Sequence, residues 1–294
     1  MGDNQAGAGR ALGIITLVVA AVLGSTYVLG RSLVPDAPHA GSTVTATGAD
    51  HPEYADQPEY ADQSAPDDTD ASQAHGAETP APQSSDGTPQ DSNTGPMGTW
   101  VNTGTTGVAL TFDDGPNPDF TPQVLAILRQ YRVTATFCVV GKNAQAYPWL
   151  VQQIVDEGHT LCNHSWDHDV TLGARSAEWI QADLLRTSEA IRAAAPDAPI
   201  AWYRQPGGAW TYSVISVSRD LGMAPLHWTL DPSDWRTPGA KRIASLVVDG
   251  AQPGSIVLLH DAGGDRQGTV DALHRILPEL TSRFDVQALP NRGL

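Results

Sequence analysis

Two short stretches carry residue types suited to chemistry. In 162-CNHSWDHDV-170, His164 and His168 stand four residues apart among Asn, Ser and Asp. In 111-TFDDGP-116, Asp113 and Asp114 are adjacent carboxylates on a turn closed by Gly115 and Pro116. Adjacent carboxylates repel one another unless a cation or a proton-transfer role offsets the cost. Alone, DDGP reads as a plain turn, and two histidines without a third ligand read as solvated loop residues. Together they complete a set. One Asp and two His form a face that can hold a divalent metal and leave positions open for water or substrate.

These residues need a scaffold, and from 107 onward short apolar runs alternate with helical patterns. GVALTFDDG, ATFCVVG, HTLCNH, AWYRQ, MAPLHWTL and SIVLLHD read as strands. TPQVLAILRQYR, PWLVQQIVDEG (closed by Gly158), SAEWIQADLLRTSEAIRAAA, YSVISVSRDLG, TPGAKRIASLVVDG and TVDALHRILPELTSRF read as helices. Ser176 is the expected N-cap of the third of these, with Glu178 in its first turn. VISVS has strand-like propensity, which weakens the helix there. A last short run, DVQAL, ends the pattern. Strand–helix alternation implies a parallel sheet, either doubly wound or closed into a barrel. The polar clusters follow the C-terminal ends of strands, where such folds put their chemistry.

The remainder of the chain is organised differently. Residues 1–10 read as a short cytoplasmic tail. Residues 11–30, ALGIITLVVAAVLGSTYVLG, are twenty without a charge. At ~1.5 Å rise per residue they span roughly 30 Å, enough to cross a bilayer core. The expectation is a retained single-pass anchor with the carboxyl terminus outside. A cleaved signal peptide is the competing reading, although no convincing A-x-A site is present; on either reading the folded domain is expected to be exported.

Residues 31–98 are the expected linker. From 32 to 98 there is no Lys or Arg, there are twelve Asp or Glu, and Pro, Ser, Gly, Ala and Thr abound. Such a segment cannot bury enough apolar surface to order itself. Its one repeat, PEYADQ at 52–57 and 58–63, is too short an array for a solenoid. About −12 of the net charge of −16 lies here, leaving about −5 for 99–294. The acidity therefore belongs to a self-repelling spacer and argues against nucleic-acid binding. Residues 99–294 are expected to form the only folded domain, as a monomer. Cys138 and Cys162, the only cysteines, are read as a disulfide in an exported protein, with two buried free thiols as the alternative.

Three more stretches, 204-RQPGG-208, 231-DPSDW-235 and 258-LLH-260, complete a resemblance. Over about 105–290 the chain resembles the polysaccharide deacetylases of carbohydrate esterase family 4, the NodB-like deacetylases, with five motifs in the family's order. The resemblance implies an α/β fold, a distorted (β/α) barrel of the NodB-homology type. TFDDGP matches the first motif, implying Asp113 as general base and Asp114 as metal ligand. HSWDH matches H-S/T-x-x-H, implying His164 and His168 as the other ligands. RQPGG stands in place of R-x-P-Y-G, so Arg204 would pair with the catalytic Asp and the backbone N–H of Gly207 would meet the oxyanion. A backbone donor survives the change from Tyr to Gly; a wall supplied by the ring does not. DPSDW matches D-x-x-D-W and LLH matches L-x-H, implying His260 as general acid with Asp234 behind it. Trp235, Leu258 and Pro206 are the implied lining of the acetyl pocket. The implied cofactor is a divalent metal, Zn²⁺ first, with Co²⁺, Ni²⁺ or Mn²⁺ as alternatives.

The implied activity is hydrolytic removal of acetyl from N-acetylglucosamine units of peptidoglycan or chitooligosaccharide, outside the cell membrane. An amide carbonyl is a poor electrophile, so metal polarisation, a base for water and an acid for the amine all have a purpose. Two alternatives stay open: an O-acetylxylan esterase with the same motifs, and a non-catalytic sugar-binding module, which would need neither base nor acid. Iron oxygenases share the three-ligand face but give RQPGG, DPSDW and LLH no task. Trp166, Trp202, Tyr203, Trp210 and Trp228 are candidates either to stack on sugar rings or to fill the core. His159 and His227 are expected to be structural, Asp167 and Asp169 to be solvated loop acids.

Overall fold

The computed structural model describes residues 94–291. The expected anchor at 11–30, most of the linker and its hexamer repeat lie outside the described residues. Among the described residues, no helix is long and apolar enough to cross a membrane. Residues 94–98, expected in the linker, already belong to the structure. Pro96–Gly98 form a 3₁₀ turn, Trp100 bridges Thr94, and the Gly98 carbonyl accepts from Arg219 at 3.0 Å.

Strands and helices alternate as β1 (Ala109–Asp113), α1 (Thr121–Tyr131), β2 (Thr136–Val139), α2 (Gly141–Ala146), α3 (Pro148–Asp156) and β3 (Thr160–Asn163). They continue as α4 (Ala177–Ala194), β4 (Ile200–Tyr203), α5 (Tyr212–Asp220), β5 (Ala224–Pro225), α6 (Ala240–Gly250), β6 (Ile256–His260) and α7 (Gln267–Thr281). Ser176 Oγ accepts from Trp179 N at 3.3 Å and caps α4; Thr211 does the same for α5 through Val214 N. Despite its β-branched run, VISVS is helical because Val214, Ile215 and Val217 bury one face of α5. Packing overrides propensity there. The short α2 was not foreseen: GKNAQA carries no apolar period.

All six strands are parallel, in the order β5-β4-β3-β2-β1-β6. The expected barrel is a half-barrel, closed only by isolated bridges. MAPLHWTL supplies just the two residues of β5, because Pro225 has no N–H to donate and the chain then crosses between two edges. Leu226 N bonds to Tyr203 O on β4, whereas Leu258 N on β6 bonds to Leu230 O at 2.9 Å. The run DVQAL passes beneath the sheet, with Val286 bridging Val108.

The strands are buried on both faces, and their period of two sorts them. Leu110, Phe112, Phe137, Val139, Leu161, Val257 and Leu259 pack against the helices. Ala109, Cys138, Cys162, Trp202 and Ile256 fill the concave interior. Cys138 and Cys162 are register partners on β2 and β3 and are joined by a disulfide.

Candidate active site

β1 and β6 end together. Asp113 and His260 are their last residues, paired in register and both buried. Ala109, Thr111 and Asp113 alternate with Leu110 and Phe112, so packing the apolar set on the helices turns the aspartate inward.

His164 follows β3 directly, and the loop after it bends through left-handed backbone at Ser165 (φ 63°) and His168 (φ 61°). Asp114 is also left-handed, with φ 73°. Non-glycine residues are strained in that region, and such strain concentrates at functional sites. Local hydrogen bonds hold it: Asn163 Oδ1 accepts from Ser165 N at 3.0 Å, Ser165 Oγ from His168 N at 3.1 Å, and Asn143 Nδ2 donates to Asp114 O at 2.7 Å. The result is convergence. Asp114 Oδ1 lies 3.4 Å from His164 Nε2 and 3.3 Å from His168 Nε2. One ligand atom from each of the three lies within 4.8 Å of the others.

The donor set fits a divalent cation. His164 Nδ1 lies 2.8 Å from the Arg204 carbonyl oxygen; it therefore carries the proton and donates, leaving Nε2 with a lone pair. Asp114 Oδ1 is buried without a hydrogen-bond partner, so acceptors converge on an orphaned oxygen, an arrangement a cation relieves. Two imidazoles and a carboxylate suit Zn²⁺. Burial works against the Asp114 charge, yet His168, His164 and His260 hold its carboxyl well below the usual range. Gly263 (φ 72°) packs on the other carboxylate oxygen, where a Cβ would collide with Oδ2.

Two charge pairs flank the cluster. Arg204 is fully buried, and its Nη1 donates to Asp113 Oδ1 at 2.7 Å and Thr111 Oγ1 at 2.8 Å. Nε and Nη2 donate to the carbonyls of Leu226 and His227 at 3.4 and 3.1 Å. Asp113 Oδ2 remains 3.6 Å from His164 Nε2. Across the site, His260 Nδ1 meets Asp234 Oδ1 at 2.6 Å, while Asp234 Oδ2 accepts from His260 N at 2.9 Å and Thr269 Oγ1 at 2.7 Å. Burial opposes the His260 charge, but Asp234, with Asp114 and Asp113 behind it, raises the pKa to about 9. The same pairing outweighs burial at Asp234 and lowers its pKa.

The other expected residues divide. Pro206 and Leu258 are buried, and Gly207 has φ 60° within the 3₁₀ turn Pro206–Gly208. Trp235 is 39% exposed, with the Arg236 guanidinium 4.5 Å above its ring. Trp166, Trp202, Tyr203 and Trp210 are buried and serve the core, not a sugar platform. Arg186 covers Trp166 at 3.6 Å, and Trp210 Nε1 donates to His227 Nδ1 at 3.1 Å. Trp228 is half-buried, its ring 3.9 Å from that of His227. His159 and His227 lie outside the ligand cluster, both lowered to about 4 by burial. Asp167 pairs with Lys142 and Asp169 with Arg175 on the loop surface.

Thr111, Thr269, Gly263 and Asp261 were not anticipated. Asp261 directly follows His260, the only signal it offered. Its carboxyl is fully buried, accepts from Thr121 Oγ1 at 2.5 Å, and is pushed up to about 7, first by burial.

Fold and site together define a class: a parallel half-barrel whose C-terminal strand ends carry an Asp–His–His cluster flanked by a buried Asp–Arg pair and a buried His–Asp pair. The polysaccharide deacetylase family model matches residues 101–226. The chain is 42% identical over 199 residues to a chitooligosaccharide deacetylase of Sinorhizobium fredii, covering 64% of this chain and 92% of that protein. The chain belongs to the polysaccharide deacetylase family. A peptidoglycan N-acetylglucosamine deacetylase, solved in complex with a naphthalenyl N-oxidanyl-benzamide, shares the fold at TM-score 0.62 and 33% identity, over 66% of this chain and 90% of that one. A family 4 pseudoenzyme from Bacillus anthracis does so at TM-score 0.60 and 25% identity, over 67% of this chain and 70% of that one.

Proposed function

We propose that this protein is a metal-dependent hydrolase that removes acetyl groups from N-acetylglucosamine units of peptidoglycan or a chitooligosaccharide. One observation carries the reading. A carboxylate gripped by a buried arginine and an imidazole gripped by a buried carboxylate stand at paired strand ends beside the Asp114–His164–His168 cluster. Relatives named for chitooligosaccharide and peptidoglycan deacetylation supply the substrate class.

Asp114, His164 and His168 would hold the metal, Zn²⁺ before Co²⁺, Ni²⁺ or Mn²⁺, and when bound it would polarise the amide carbonyl and lower the pKa of water. Asp113 takes the proton of the attacking water on Oδ2, the oxygen that Arg204 leaves free. Arg204 fixes the carboxylate through Oδ1. The Gly207 N–H is the proposed donor to the oxyanion. His260, protonated on Nε2, gives its proton to the departing nitrogen, so an amine leaves in place of an amide anion. Asp234 orients that imidazole and favours its charged form. Leu258, Pro206 and Trp235 border the acetyl methyl. The chain is proposed to work outside the membrane, tethered through 11–30 and the linker 31–98, or released if that segment is cleaved.

One structural neighbour is a pseudoenzyme, so the fold alone does not make a catalyst. A sugar-binding module would need neither Asp113–Arg204 nor His260–Asp234. The test is acetate release by the full chain, stripped with chelator and reloaded with Zn²⁺, from chitopentaose, peptidoglycan and acetylated xylan. Metal-restored release, lost in Asp113→Asn, is expected. Preference for xylan would make it an esterase; tight sugar binding without release would make it a binding module.

A further inference from the structure

Six large apolar side chains are more than a third exposed among the described residues: Met97, Trp149, Trp179, Leu185, Tyr212 and Trp235. Three of the aromatics share one kind of position. Trp149 is the second residue of α3, Trp179 the third of α4 and Tyr212 the first of α5. These helices follow β2, β3 and β4 and lead back to the next strand. Their N-termini therefore lie on the side where the strands end, the side of Asp113, Arg204 and His260. The helices are also neighbours, with α4 packed against both α3 and α5. At helix spacings of about 8–10 Å, the three starts span about 20 Å.

The starts of α4 and α5, and of the short α2 that leads into α3, are tied to the loop that carries His164 and His168. Gly141 N and Lys142 N, opening α2 just before α3, donate to Ser165 O and Trp166 O at 3.0 and 2.9 Å. Ser176, at the end of that loop, caps α4. Thr211 Oγ1, before Tyr212, donates to Gly173 O at 3.1 Å. The exposures are 55%, 62% and 77% for Trp149, Trp179 and Tyr212. Leaving that much ring surface in water forgoes burial energy.

We infer that Trp149, Trp179 and Tyr212 form an aromatic rail on the active-site face that binds an acetylated glycan chain beyond the sugar being deacetylated. An equatorially substituted pyranose presents a face of C–H groups, which an indole or phenol ring covers by dispersion while the hydroxyls stay in water. Trp and Tyr do this with few rotors to freeze. Separate platforms on successive helices match a repeating chain; a protein partner would call for one contiguous buried area.

The inference rests on the deacetylase reading, and its test separates the two. Trp149→Ala, Trp179→Ala and Tyr212→Ala are made singly and together in the full chain, and kcat/KM is measured on chitobiose and chitopentaose. The triple variant is expected to match wild type on the dimer and to lose roughly tenfold or more on the pentamer, through KM. Calorimetric binding of chitopentaose is expected to weaken in parallel. Equal losses on both lengths, or none on either, would overturn the rail. If wild type releases no acetate, the deacetylase reading fails, and unchanged pentamer binding by the triple variant would still sink the rail.

Discussion

Asp113 and His260 are register partners at the ends of β1 and β6, and each is held by an opposite charge, Arg204 at 2.7 Å and Asp234 at 2.6 Å. Parallel neighbours run about 4.8 Å apart, so the sheet itself sets the separation of the proposed base and acid. Neither residue depends on a flexible loop for its position. The turns after β1 and β3 supply the proposed ligands Asp114, His164 and His168, and left-handed backbone held by local hydrogen bonds pins them.

The His260–Asp234 pair predicts a pH profile. His260 is raised to about 9, so its proton is kept through neutral pH and lost as pH rises through that value. Acetate release is expected to decline on an alkaline limb near 9. In Asp234→Asn the countercharge is gone while burial remains, so the limb moves to lower pH by about a unit or more. Measuring kcat/KM against pH for both proteins checks this. A limb that stays in place would show that Asp234 does not govern His260.

Arg204 predicts a stability effect larger than its role toward Asp113 alone. It is completely buried and also bonds Thr111, Leu226 and His227, joining β1, β4 and the crossing segment. Arg204→Met strands a buried carboxylate and should cost roughly 3–5 kcal/mol. Asp113→Asn keeps an acceptor for the guanidinium and should cost about 1–3 kcal/mol. Urea unfolding of the two variants gives the comparison. Equal costs would mean that Arg204 contributes only its pairing with Asp113.

Most of this site was legible because its chemistry is written in short contiguous motifs at strand ends. β1, β2, β3 and β6 were legible because both faces are buried, giving unbroken apolar runs. Ser176 announced α4. Other features depend on tertiary partners. Aromatic type does not say which ring is covered, so Trp166 and Trp210 stayed open between platform and core while Trp149 and Trp179 passed unnoticed. MAPLHWTL has strand composition, yet its residues divide their bonds between two edges. Asp261 has the sequence signature of any loop acid, and only its burial against Gly115, beside Asp114 and Asp113, makes its carboxyl abnormal.

That carboxyl carries the next prediction. Burial, reinforced by Asp114 and Asp113, pushes Asp261 from 3.8 up to about 7. The folded protein therefore keeps a proton that the unfolded chain has released. This contribution to stability is full below about 4 and is lost as pH rises through 7. Asp261→Asn keeps an acceptor for Thr121 and removes the titration. In metal-free protein it should gain on wild type in urea unfolding at pH 8 relative to pH 5. An unchanged difference between those two conditions would rule out a neutral Asp261.

His159 runs the other way. Its Nδ1 accepts the Ala135 N–H at 3.1 Å, which places the proton on Nε2, a buried atom without a partner. A second proton on Nδ1 would break the Ala135 bond and charge a buried ring packed against Phe137. Burial, only partly countered by Glu157, lowers the pKa from 6.5 to about 4. The stability contributed by the neutral ring is thus present above 6.5 and lost as pH falls from there through 4. His159→Gln retains a side-chain acceptor and does not titrate. Across that window wild type should lose stability relative to the variant by an amount on the order of 2 kcal/mol. Urea unfolding of both proteins at pH 7, 5.5 and 4 measures it. Parallel curves would clear His159 and leave His227, lowered to the same value, as the histidine whose substitution should then bend the profile.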